Sequence, residues 1–206
     1  MTDDDVRAMV AASYTGLADL LDAMPSDGWD AASLCEGWRV REVVAHVTMP
    51  ARYDEDAFMT ELRDCEFDFT KLSNRIAARD AELPTADLVA NLREPALHAW
   101  TPPGGGVHGA LNHAVIHGLD VTIGLGAPRT ASDAAVRATL DDLTKGGGHE
   151  HFATAIDGRR LEATDLDWSY GTGPPLSGPS GDLAAQLAGR RVPPGRLHGE
   201  PLAGTA

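Results

Sequence analysis

Ala110-Leu-Asn-His-Ala-Val-Ile-His-Gly-Leu-Asp120 carries two histidines, His113 and His117, four residues apart in a stretch that reads as a helix. At that spacing both imidazoles point to the same side, one turn apart. Asp120, three residues further on, falls on the same stripe. Two imidazoles so placed can chelate a divalent ion, but a catalytic centre needs a third protein ligand and an open position. Without that ligand, such a pair is often an ordinary surface or half-buried pair. The motif is not His-Glu-x-x-His, because Ala114 stands where a metalloprotease has its general base.

Working outward, the chain of 206 residues is long enough for one core with a small appended piece. Its 17 basic and 31 acidic residues give a net charge of −14, which would repel nucleic acid and anionic membrane surfaces. The N-terminus lacks a basic n-region and an apolar h-region, and no apolar run approaches the ~18 residues that cross a bilayer, so a cytoplasmic protein is expected. Cys35 and Cys65 are too few and too far apart in sequence for a disulfide framework or a Cys-rich zinc site. Cys35 reads as a small buried residue, and only weakly as a nucleophile.

Helical periodicity runs from about Asp3 to Met24 and again from near Trp38 to Met49, where Pro50 should kink or end the helix before Ala51 to Leu62 continue the pattern. Lys71 to Asp80 and Thr85 to Arg93 read as further helical pieces. The loop Pro102-Pro-Gly-Gly-Gly106 leads into the His-pair helix, and Ser132 is placed to cap another from Asp133 to Leu143. Beyond Gly146-Gly-Gly148 the pattern changes: Asp157-Gly158 lies between two short β-prone runs and suggests a hairpin. Ser180 could cap a helix over Gly181 to Ala188, and the tail after Val192 reads as an irregular strap.

Among the remaining histidines, His46 is the best third ligand, since it lies in a strong helical pattern beside an apolar face, and ligands on facing helices of a bundle converge in the core. His149-Glu-His151 could clip a metal but reads better as a solvated turn. His98 and His108 flank the Pro/Gly loop and could shape a pocket mouth. Arg75 and Arg79 share one helix face and could hold a carboxylated substrate, or be surface arginines. Glu42, one turn before His46, could support it or simply face solvent. Trp38 and Trp168 read as core anchors, and Arg190 reaches the site only if the C-terminal piece folds over it.

Leu34-Cys-Glu-Gly-Trp-Arg-Val-Arg-Glu-Val-Val-Ala-His46, Val115-Ile-His-Gly-Leu-Asp120 with Leu125-Gly-Ala-Pro128, Leu161-Glu-Ala-Thr-Asp-Leu-Asp-Trp168, Gly178-Pro and Leu187-Ala-Gly-Arg190 together resemble, in order, the mycothiol-dependent maleylpyruvate isomerase family of DinB-like metalloenzymes. The resemblance implies a mainly α fold: a DinB-like four-helix metal-binding bundle over residues 1–146, with a small C-terminal α/β appendage over 147–206 packed on it. It implies a divalent metal, zinc first with nickel or iron as alternatives, on His46, His113 and His117. It further implies mycothiol as co-substrate and a small electrophile as substrate, turned over by S-transfer or cis-trans isomerisation, in a monomer or homodimer. Many members of the isomerase branch carry a carboxylate where this chain has His113, which loosens the tie to maleylpyruvate itself. Asp120 is expected to orient a ligand imidazole, and Arg75 to meet the substrate. A water-using metal hydrolase, or a binding module without turnover, is the alternative. Asp165 and Asp167 are expected to fix the hairpin to the bundle.

Overall fold

The computed structural model describes residues 1–202. Helix α1 (Asp3–Ala23) starts at a capping box in which Thr2 and Asp5 satisfy each other's backbone amides, and Val6, Val10, Leu17 and Leu21 form its buried stripe. Helix α2 (Val40–Val47) opens with Glu42 accepting from the Arg39 amide. It stops at Thr48, and Pro50 stands in the first turn of a separate helix, α3 (Met49–Arg52), where a missing N–H costs nothing. The expected continuation to Leu62 is broken again, because the Asp54 carboxylate caps a new helix, α4 (Glu55–Asp64). Asp68 likewise caps α5 (Phe69–Asp80), two residues earlier than Lys71. Short α6 (Thr85–Leu92) and α7 (Pro95–Ala99) lead to the long α8 (Gly106–Gly124), and Ser132 caps α9 (Asp133–Thr144) as expected.

Helix α8 packs against α1 and α2, and α2 carries α5, so these four helices make the bundle. The C-terminal piece differs from a simple hairpin. Asp157-Gly158 only precedes strand β1 (Arg160–Ala163), which pairs antiparallel with β2 (Ser169–Gly171) and parallel with β3 (Pro175–Gly178). The tail adds β4 (His198–Gly199), giving a sheet ordered β2-β1-β3-β4, and α10 (Ser180–Leu187) packs on α8 and α9. Ser180 is the first residue of α10 rather than its cap. Its amide and hydroxyl both donate to Asp165, so that carboxylate ties the β1–β2 connection to α10 within the C-terminal piece and not, as expected, a hairpin to the bundle. Trp168 is buried and donates its indole N–H to Asp141 of α9, whereas Trp38 is only half-buried.

Leu161, Leu176 and Leu183 belong to the same apolar core as Val10, Val43 and Leu111, so the sheet and α10 share one core with the bundle. This continuity fixes the C-terminal segment against α8. No helix among the described residues is long and apolar enough to cross a membrane.

Candidate metal centre

His46 projects from α2, and His113 and His117 from the facing side of α8. The three rings stand with centroids 4.7 to 5.3 Å apart. Their donor atoms lie within 4.8 Å of one another, and Nε2 of His46 and Nε2 of His113 are 3.3 Å apart. Two nitrogens each about 2.05 Å from a tetrahedral ion stand about 3.3 Å from one another, so the pair already has the spacing that a zinc-like ion imposes. Burial, reinforced by the neighbouring His117, pushes the His46 pKa down to about 3, and burial likewise holds His113 well below the usual histidine value. Both rings are neutral near pH 7 and can offer a lone pair. A divalent ion fits this donor set.

Outer partners fix two of the three rings. His117 Nδ1 lies 2.9 Å from Oδ2 of Asp120, which can only accept, so Nδ1 carries the proton and Nε2 is left for a ligand. Asp120 is fully buried and also accepts from Arg190 through Nε and Nη2, both at 3.0 Å, and from the Cys35 thiol at 3.0 Å. Burial works against the Asp120 charge, yet the His117 bond and the Arg190 guanidinium outweigh it and hold the carboxyl well below the usual range. Burial and the Asp120 charge push the Cys35 thiol up, so Cys35 acts here as a protonated donor and not as a nucleophile. His113 Nδ1 is 3.0 Å from the hydroxyl of Tyr14, a fully buried α1 residue whose phenol burial holds un-ionised. His46 Nδ1 is buried with no hydrogen-bond partner among the described residues.

Tyr14→Phe removes one hydroxyl and little volume. We expect a metal affinity about 10- to 100-fold lower, with the helical circular-dichroism signal unchanged. A competition titration with a chromophoric chelator measures it.

Two cavities meet at the histidines. One, of about 750 Å³, runs past Cys35, Trp38, Phe69 and Asn74. The other, of about 600 Å³, lies under Pro102, Gly104, His108 and Phe152. A ligand at the centre is thus reachable from both sides.

The site residues expected from sequence fall into two groups. His46, His113, His117 and Asp120 come together. Arg75 does not join them: it lines neither cavity, and its guanidinium lies 3.5 Å from Glu61 and 3.9 Å from Asp64 on α4. Arg79 is held by Glu61 and Asp80, and Glu42 is spent on Arg39. Sequence reasoning missed Tyr14, since no local spacing ties an α1 phenol to a histidine 99 residues away, and Trp100, whose ring packs edge-on 5.2 Å from His113.

Residues 10–101 match the family model described as mycothiol maleylpyruvate isomerase N-terminal domain. That family model thus covers the N-terminal part of the resemblance read from the sequence. The matched segment includes His46 and ends before α8, so His113 and His117 lie beyond it. A crystal structure of the mycothiol-dependent maleylpyruvate isomerase superposes with a TM-score of 0.62 at 16% identity, covering 97% of this chain and 93% of that one. A mutant of that isomerase gives 0.58 at 16% identity over 92% and 90%. These likenesses show a shared fold running through the maleylpyruvate isomerase bundle and the C-terminal sheet. No curated protein matches the sequence.

Proposed function

We propose that this chain is a divalent-metal-dependent enzyme that activates a low-molecular-weight thiol, such as mycothiol, for S-transfer to, or cis-trans isomerisation of, a small electrophile. The observation that carries this reading is the convergence of three imidazoles from α2 and α8 at the junction of two cavities. His46, His113 and His117 would hold a divalent ion, zinc first, which among uncharged imidazole ligands would keep its full charge and favour the ionised form of a thiol near neutral pH.

The protein residues then divide the remaining work. Asp120 keeps the His117 proton on Nδ1, and Tyr14 orients His113. Arg190, carried in from the C-terminal segment, neutralises Asp120 and lines both cavities. The family match supports mycothiol over other thiols, and the two-sided access suits a reaction that brings thiol and electrophile to one point. His113, where many isomerase-branch members have a carboxylate, leaves the electrophile open.

Calorimetry with mycothiol tests the reading. The zinc-loaded protein should bind it with a micromolar to millimolar Kd, and the metal-stripped protein at least tenfold more weakly. Absence of any heat with the loaded protein would remove the thiol assignment, while an unchanged affinity after stripping would remove the metal from it.

A further inference from the structure

Four side chains line both cavities: His46, His117, Arg190 and His151. The first two are the candidate ligands, and Arg190 is tied to Asp120 by two hydrogen bonds. His151 differs from them, since its ring packs edge-on against Phe152, centroids 4.9 Å apart, and has no hydrogen bond or ion pair among the described residues. It sits on a single 3-10 turn, Gly148–Phe152, between the left-handed residues Gly147 (φ 75°) and Ala153 (φ 54°). The turn is pinned to the end of α9 by His149, whose Nδ1 is 2.8 Å from the Leu143 carbonyl. Of the two histidines in His149-Glu-His151, one therefore anchors the turn and the other is left to face the cavities. His108 also has no side-chain hydrogen bond among the described residues but lines only the smaller of these two cavities.

We infer that His151 is a catalytic residue, the proton carrier for the thiol and electrophile that meet between the two cavities. This rests on the thiol-using reading above. Thiol activation leaves a proton to be placed, and the three imidazoles that would hold the ion have their acceptor nitrogens committed to it. Imidazole exchanges protons near neutral pH better than any other side chain. The S–H bond breaks, its electron pair stays on sulfur, and the proton passes to a ring nitrogen of His151. The thiolate forms a C–S bond to the electrophilic carbon, and the displaced π pair collects on the conjugated atom beyond it. In S-transfer that atom takes the proton back from the imidazolium. In isomerisation the C–S bond breaks after rotation, the pair returns to the double bond, and the proton rejoins sulfur as the thiol leaves.

The test is stopped-flow mixing of mycothiol with the cobalt(II)-loaded full chain, followed by the thiolate-to-cobalt charge-transfer band. His151→Gln should form the same final band as wild type, but about 10²- to 10⁴-fold more slowly, the span of general acid-base contributions. Free imidazole in the buffer should restore speed, and His108→Gln should behave as wild type. An unchanged rate in His151→Gln, a slow rate that imidazole does not rescue, or loss of cobalt from the variant would each overturn the assignment. A wild-type protein that binds cobalt but gives no band would overturn the thiol reading and with it the role of His151. A normal wild-type band with an unaffected variant would overturn the role of His151 alone.

Discussion

His117→Ala is expected to lose its divalent ion on dialysis, with an affinity loss exceeding the roughly 10- to 100-fold that removal of an outer partner costs. His117 is the ligand that couples the centre to the rest of the molecule, because its Nδ1 is fixed by Asp120 and its ring lies within 5 Å of both other imidazoles. Without it, only His46 and His113 remain of the triad, and His46 has no partner for its second nitrogen among the described residues. A two-imidazole site with one unoriented ring offers neither the ligand count nor the preorganisation of a catalytic centre. Metal stoichiometry by elemental analysis, beside His113→Ala as a second ligand variant, decides the matter. Stoichiometric metal retained in both variants would remove the three-histidine centre. The unfolding temperature of the stripped His117→Ala protein should fall moderately, since buried Asp120 loses one hydrogen bond but keeps Arg190 and Cys35.

How much of this was legible in the sequence depends on how local each signal is. The α1 stripe, the Ser132 cap and the His113/His117 pair depend on spacings of three or four residues, and all appear where periodicity placed them. His46 needed two helices to face each other, which the family resemblance implied and α2 packing on α8 realises. The break between α3 and α4 was hidden, because apolar periodicity runs through a point where the Asp54 carboxylate offers the backbone a better start. Asp157-Gly158 carries hairpin chemistry, but β1 finds its parallel partner in β3, beyond β2, and no turn signal encodes that choice. Arg75 shows the same limit for a site residue. Its face was read correctly, and what captured it was a pair of acids on α4, a different helix. Arg190 lies 70 residues from Asp120, so its arrival depends on the path of the entire C-terminal segment.

Asp120→Ala should combine the largest stability loss of any single substitution near the centre with weaker metal binding. The carboxylate is wholly buried and is, among the described residues, the one acid paired with the Arg190 side chain, which is itself only 17% exposed. Removing one partner of such a pair strands the other, at a cost of about 3–5 kcal/mol. Metal affinity should fall about 10- to 100-fold besides, because His117 loses the acceptor that keeps its proton on Nδ1. The two effects can be separated. Adding Arg190→Met removes the stranded charge and leaves a side chain of similar reach, so stability should largely return while metal affinity stays low. If affinity recovered together with stability, Asp120 would be acting through the packing of the C-terminal segment and not through the imidazole. The pH dependence is a second check. A carboxyl held below its unfolded value of about 3.9 contributes stability fully above that pH and loses it only as pH falls through the depressed folded value. The stability gap between wild type and Asp120→Asn should therefore be flat from pH 5 to pH 8 in chemical denaturation and narrow only in stronger acid. A gap that closed within that window would mean that Asp120 is not held ionised by Arg190 and His117.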